Sequence, residues 1–353
     1  MNKRTFALLA AVITFTVGVV LAKLSLPNVI EDMPPVVIRD IQSSNYRLSG
    51  PYQFENLSIY LIHGPSPAWI RLYTPLQDAM ERQIAIVHET SNVNELAIEN
   101  VSATEEVFVQ AGDIVKGGRQ DRVLSVDLVL PAKSGLVPIP AFCVEQSRWQ
   151  ARGNESVDHF SMTEMVANYS LKQIIKDIGT QAGVWAGVNS ASESVGAGVA
   201  RSVRSEVSPS SLPLALESIA VQESTAPYIY NLSSVAHRWN DVLGFAFAVN
   251  DEIKGADVYA SNAMFKRFWP RLLRAAAVDA IGTAGIKRAP NALTVETVNA
   301  FLANSELGSE IVSHLNGRTE SVERSTQDAL FFESRDRGYG GEWIHRSYLP
   351  RKQ

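Results

Sequence analysis

Arg122-Val123-Leu124-Ser125-Val126-Asp127-Leu128-Val129-Leu130, the connector Pro131-Ala132-Lys133-Ser134-Gly135, and Leu136-Val137-Pro138-Ile139-Pro140-Ala141-Phe142-Cys143-Val144-Glu145 form the stretch on which the fold turns. Both long runs are rich in β-branched and apolar residues, and the connector between them has turn composition. Two strands joined so closely predict a hairpin. Upstream, Leu57 to Ile62, Ile84 to Val87, Leu96 to Ile98 and Val107 to Val109 also look like strands. Turn residues such as Gly64-Pro65 and Ser91-Asn92 separate them. Only Pro75 to Arg82 suggests a short helix. So many β-runs at close spacing predict a mixed or antiparallel sheet in the N-terminal half.

Past Trp149 the pattern changes. Met162 to Val188 has helical spacing, with Thr163 as the expected N-cap and Met165, Tyr169, Lys172, Ile175 and Ile178 on one face. Ser190 to Ser211 is rich in Ser, Gly and Ala and reads as a flexible loop. Leu243 to Val249 and Ala256 to Tyr259 predict a second hairpin around Asn250-Asp251. Asn262 to Ile281 predicts a long helix whose aromatic stripe, Phe265, Phe268 and Trp269, belongs in the core. Thr294 caps a shorter helix, and Ala329 to Glu333 and Trp343 to Leu349 are expected closing strands. The expected class is α+β, as one large domain over residues 51–350.

The chain has 353 residues, 32 Lys and Arg against 37 Asp and Glu, 46% apolar residues and one cysteine. That is globular composition, so disorder and collagen-like repeats are excluded. A single cysteine forms no intramolecular disulfide and no cysteine-based zinc or iron–sulfur site. The acidic balance, a net charge of −5, argues against nucleic acid as a partner.

Lys3 and Arg4 precede the uncharged stretch Phe6 to Leu21, and Val20-Leu21-Ala22 ends in a small residue. This layout is that of a signal peptide over residues 1–22, cleaved near Ala22, and predicts an exported protein, periplasmic or secreted. The alternative is an uncleaved N-terminal membrane anchor. Loss of Lys3 and Arg4 would leave 30 basic side chains against 37 acidic ones, or −7. Residues 23–50, with Pro34-Pro35, read as a linker or extended arm.

Two segments carry the densest chemistry. In Gly112-Asp113-Ile114-Val115-Lys116-Gly117-Gly118-Arg119-Gln120-Asp121-Arg122, a diglycine turn stands beside several donors. Its amides can form an anion-binding concavity, with Arg119 or Arg122 gripping phosphate or carboxylate. A surface-charged hairpin turn is the plainer reading. In Cys143-Val144-Glu145-Gln146-Ser147-Arg148-Trp149, the thiol and Glu145 share a strand face. A neighbouring carboxylate raises a thiol pKa, so Cys143 is more simply a core residue than a nucleophile. None of the six histidines pairs at i,i+3 or i,i+4, and no Gly-x-Ser-x-Gly elbow occurs. Neither a metal nor a cofactor is expected.

With those residues in view, the chain resembles the ARG and rhodanese-phosphatase-superfamily-associated protein family. The likeness rests on Thr74-Pro75-Leu76 with Ala79, on Glu89, and on Leu96 to Asn100. It continues through Gly112-Asp113, Gly117 to Arg122, Cys143 to Glu145 with Arg148-Trp149, then Gln181 with Trp185, and the stretch Leu243 to Leu273. It spans roughly residues 52–350 and implies one α+β domain. The family's name hints at ADP-ribose or nucleotide-linked metabolism. Where the family usually has Gly-Glu this chain has Gly112-Asp113, a carboxylate of shorter reach.

Three readings follow. One is an exported binding protein that holds a small polar or anionic ligand on Gly117, Gly118, Arg119, Gln120, Arg122, Arg148 and Trp149. The second is a hydrolase-like enzyme on a ribose- or phosphate-bearing ligand, its catalytic candidates being Glu89, Asp113, Cys143 and Glu145. The third is an interaction domain in which these residues form a satisfied buried network. Gln120, Arg122, Cys143 and Glu145 are expected in one neighbourhood.

Overall fold

The computed structural model describes residues 46–66, 71–90, 92–153, 155–283 and 292–351. The expected signal segment 1–22, the arm up to residue 45, and Ser91 of one expected turn lie outside them. In chain order the first elements are β1 (Arg47–Phe54), β2 (Leu57–His63), β3 (Thr74–Pro75), α1 (Leu76–Glu81), β4 (Ala85–Glu89) and β5 (Glu95–Asn100). Next come β6 (Val107–Val109), β7 (Ile114–Gly117), β8 (Arg122–Leu124), β9 (Leu128–Leu130), β10 (Gly135–Cys143) and β11 (Phe160–Met162). A helical stretch follows with α2 (Tyr169–Asp177), α3 (Gln181–Gly198), α4 (Leu212–Leu216) and α5 (Ile219–Leu232). The chain closes with β12 (Val242–Val249), β13 (Glu252–Tyr259), α6 (Asn262–Ile281), α7 (Val295–Ser305), β14 (Glu310–His314), β15 (Thr319–Ser325), β16 (Ala329–Asp336) and β17 (Glu342–Pro350).

The strands make an eight-stranded sheet in the order β1-β2-β12-β13-β17-β16-β15-β14, a six-stranded sheet β11-β7-β8-β10-β5-β4, and a small sheet β3-β6-β9. All pairings are antiparallel except β3 with β6. The protein is thus α+β, as expected, and the described residues belong to one unit.

β2 and β12 are buried at every position because both faces of the large sheet are covered. Leu57, Ile59 and Leu61 join the main core with Phe245, Phe247 and the α6 residues Phe265, Phe268 and Trp269. Tyr60 and Ile62 point the other way and pack with Val298 and Leu302 of α7. The aromatic stripe of α6 is therefore core, and each fully buried ring contributes roughly 2–3 kcal/mol. Ser261 caps α6 and Thr294 caps α7 through amides three residues on.

Four expectations need correction. The run Arg122 to Leu130 is two strands, not one. The Asp127 carboxylate turns inward to accept the Ala111 amide at 2.7 Å and to meet the His345 ring at 2.8 Å, which breaks the strand between β8 and β9. Pro131 to Gly135 is consequently not a hairpin turn, since it carries the chain from β9 in the small sheet to β10 in the six-stranded one. The expected helix from Met162 begins only at Tyr169 and splits at Gly179, whose φ of +61° ends α2. Thr163 instead folds onto the Met165 carbonyl at 2.6 Å, and Asn168 precedes the helix.

The fourth is Ser190 to Ser211. Its first part is not a loop but the second half of α3. The small residues are there because the helix runs close against the end of α6: a Cβ on Gly198 would lie 1.8 Å from the Ile281 carbonyl oxygen. The second hairpin, by contrast, lies where its spacing puts it, with Asn250 and Asp251 both at positive φ in the turn.

Candidate functional site

The diglycine turn joins β7 to β8. Gly117 has a φ of +121° and Gly118 of +53°, and a Cβ on either would strike the His159 carbonyl or the Phe160 ring. Only glycine fits here. The turn does present its amides to anions, but the anions are the chain's own. The Gly117 N–H donates to Asp121 Oδ1 at 2.9 Å, and the Arg119 N–H donates to Glu89 Oε1 at 2.7 Å. The Gly118 N–H donates to the His159 carbonyl at 3.0 Å. On the other side, Arg148 donates to the Gly117 and Gly118 carbonyls at 2.9 and 2.8 Å.

Beneath the turn lies a network of two carboxylates and two guanidinium groups. β8 and β10 pair with Arg122 opposite Cys143, so the residues just before β8 meet those just after β10. Glu145 Oε1 accepts from Arg148 Nε at 2.7 Å and Ser208 Oγ at 2.5 Å, while Oε2 accepts the Asp121 amide at 3.0 Å. Asp121 Oδ2 accepts from Ser211 Oγ at 2.6 Å and from Arg152 at 2.9 Å. Gln120 donates to the Glu145 carbonyl at 3.0 Å, and Arg122 donates to the Gln120 carbonyl at 2.9 Å. Gln120, Arg122, Cys143 and Glu145 are one neighbourhood.

Burial opposes ionisation of both acids. For Glu145 the bonds from Arg148, Ser208 and the Asp121 amide outweigh burial and hold its pKa below the ordinary carboxylate value. For Asp121, burial and the adjacent Glu145 charge raise it, with Arg152 and Ser211 offsetting only part. Neither carboxylate is exposed to solvent. Every carboxylate oxygen of the pair accepts at least one bond from the chain.

Of the other catalytic candidates, one leaves the cluster and two stay. Asp113 leaves the cluster: its Oδ1 accepts from Arg271 at 2.7 Å and its Oδ2 accepts the Gln110 amide at 2.9 Å. Glu89 stays beside the turn, 3.8 Å from the buried Arg122 guanidinium. Cys143 is buried, its sulfur 3.7 Å from the Val93 carbonyl. Burial pushes its thiol pKa up, and Arg122 counters only in part. Gln181 fixes the strand end by accepting the Cys143 amide and donating to its carbonyl, each at 2.8 Å. The motif residues Glu89, Gly117 to Arg122, Cys143, Glu145, Arg148 and Gln181 thus assemble in one place.

An open cleft of about 550 Å³ borders this network, lined by Gln146 to Gly153 and Val207 to Ser210. Arg148 and Arg152 reach it from the network. Trp149 stands in it 56% exposed, and Arg119 is exposed on the turn nearby. Ser210 ties the far wall to the near one through the Gln146 carbonyl at 2.7 Å.

A second buried network went unread in the sequence. His345 lies between Asp127 at 2.8 Å and Asp257 at 3.1 Å, and stacks on Tyr259. Burial alone would lower its pKa, but the two carboxylates push it up to about 9. Lys172 and the Tyr169 hydroxyl also bind Asp257, whose pKa is held well below the usual range against burial. A lone histidine on a late strand gave no signal, because its partners come from positions 127 and 257. Among the described residues no group of three or more His, Cys, Asp or Glu side chains is arranged to hold a metal, and no helix is long and apolar enough to cross a membrane.

No curated protein and no solved structure matches the chain. The family described as the ARG and Rhodanese-Phosphatase-superfamily-associated Protein domain matches residues 45–349, which takes in strands of all three sheets, both buried networks and the cleft, and the chain belongs to that family.

Proposed function

We propose that the domain binds a small polar or anionic ligand in the cleft beside the diglycine turn and does no chemistry on it. The observation that carries this reading is the exposed Trp149 set between Arg148 and Arg152, over a floor whose charges are already satisfied. An indole face with the exposed Arg119 side chain on the turn nearby suits a ligand with a flat ring or sugar face and an anionic group. Trp149 and Arg119 are the contact residues in this reading, and Arg148, whose donors go to Glu145, Asp121 and the Gly117, Gly118 and Gln150 carbonyls, holds the cleft wall in shape. Gly117, Gly118, Gln120 and Arg122 hold the turn and the floor in shape. The saturated carboxylates and the raised thiol pKa support binding over hydrolysis. The basic–apolar–small order of residues 1–22 supports export as the setting for this role, with cleavage near Ala22 read by the N-terminal sequence of the protein from fractionated cells.

The experiment is a thermal-shift and tryptophan-fluorescence titration with AMP, ADP-ribose, ribose 5-phosphate and inorganic phosphate. A saturable rise in melting temperature is expected for at least one of the larger molecules, with the ligand recovered unchanged. Trp149→Ala should weaken it tenfold or more, about 1.4 kcal/mol. A flat response across the panel overturns the binding reading. Turnover of any of these molecules overturns the claim that no chemistry occurs.

A further inference from the structure

A second pocket lies between α2 and the large sheet, on elements separate from the cleft. Its floor comes from the register of four strands. Ser321, Ser334, His345 and Tyr259 are cross-strand partners in one row of β15, β16, β17 and β13. Glu323, Phe332, Ser347 and Asp257 form the next row, two residues along, so both rows share one face of the sheet. Lys172 and Lys176, one turn apart on α2, cover that face, and Asp127 closes one side.

The charges here balance, His345, Lys172 and Lys176 against Asp127, Asp257 and Glu323, but not every one has a partner in contact. Asp127 is held by His345 and the Ala111 amide, and Asp257 by His345 and Lys172. Glu333 is held by Arg335 at 2.5 Å and Arg346 at 2.6 Å. Lys176 is different. Its half-buried ammonium sits 4.4 Å over the Phe332 ring and has no hydrogen-bond or ion-pair partner among the described residues. Glu323 attracts it at longer range, but burial and Lys172 favour losing its proton. The hydroxyls of Ser321 and Ser347 likewise make no hydrogen bond among the described residues, and both line the pocket. A half-buried cation and two idle hydroxyls that face one cavity are donors an oxyanion would engage.

Size narrows the choice. The enclosed space is about 30 Å³, which at roughly 10–15 Å³ per water holds two or three water molecules. That is room for one small oxyanion and far too little for a nucleotide. We propose that this pocket is a second binding site, for a small oxyanion held by Lys176 with the Ser321 and Ser347 hydroxyls. The oxyanion enters either as a free ion or as the terminal group of a larger molecule whose remainder stays at the mouth.

The test is thermal shift and calorimetry on the whole protein with inorganic phosphate, sulfate and acetate, at ionic strength held constant with sodium chloride. A saturable stabilisation by at least one is expected. Lys176→Met should weaken it at least tenfold, Ser347→Ala about threefold, and Trp149→Ala should leave it unchanged, which separates this site from the cleft. Amine labelling of Lys176, followed by peptide mass, should slow when the same ion is present. Phenyl phosphate binding more tightly than phosphate would identify a terminal group as the natural occupant, and weaker binding the free ion. No saturable response to any oxyanion, the same affinity in the Lys176→Met and Ser347→Ala variants as in the wild type, or a Lys176 labelling rate in the wild type that the ion leaves unchanged, overturns the proposal.

Discussion

His345 shows how far a single side chain can depart from its ordinary chemistry when the fold supplies its surroundings. Asp127 and Asp257 keep it protonated against burial, with its pKa pushed up from 6.5 to about 9. A histidine whose pKa is raised on folding contributes stability that is complete below its unfolded pKa and lost as pH rises through the folded one. Between pH 6.5 and 9 this one group should therefore remove stability on the order of 3 kcal/mol. Urea melts at pH 6, 7.5 and 9 would show the wild type losing stability over that window. His345→Gln should be less stable at pH 6 and much flatter in pH. A variant as steep as the wild type would mean that other groups carry the dependence. The same charge logic holds at Cys143, where burial raises the thiol pKa more strongly than the single arginine opposite lowers it.

At the level of elements, small residues and caps decide the boundaries that periodicity left open. α3 carries Gly, Ala and Ser where another helix passes, and composition alone cannot tell a helix in close contact from a loop. Gly198 is the closest approach, 1.8 Å from a backbone oxygen for an added Cβ, and a carbonyl oxygen at the end of α6 cannot move aside as a flexible side chain would. Gly198→Val should destabilise the domain by about 3 kcal/mol through forced separation of the two helices. A chemical melt within 0.5 kcal/mol of wild type would show that the contact yields. The split of α2 from α3 at Gly179, and of β8 from β9 at Asp127, are the same lesson: one residue with a tertiary or left-handed requirement overrides a continuous pattern.

Across the whole molecule, the large sheet ties the ends of the described chain together. β1 and β2 enter it from the N-terminal side, and β17 lies between β13 and β16, pairing with both. β17 also supplies His345 and Tyr348 to the buried interior. A chain truncated after Gly341 should lose its cooperative thermal transition, since β13 and β16 would each present an unpaired edge in the middle of the sheet. A truncated protein that still melts cooperatively would show that the folding unit does not need β17. The second buried network would be lost with the strand, whereas the contacts around Asp121 and Glu145 draw on residues 89 to 211 alone.

The sequence by itself determined the α+β class, most strands and the two long C-terminal helices, because alternation and helical spacing are local properties of burial on one face or two. It also determined that the diglycine turn and the Cys143 to Trp149 segment lie together, since their strands are near in the chain. Only the tertiary structure decided what those residues do to each other. It turned the anion-binding amides onto Asp121 and Glu89, sent Asp113 away to Arg271, and left Trp149 exposed over a satisfied floor. It alone revealed the pocket under α2, where Lys172, Lys176, Asp127, Ser321 and His345 converge from four separate segments. The physical reason is that the strength of a charge depends on its distance to other charges and to water, and those distances are set by packing between residues hundreds of positions apart.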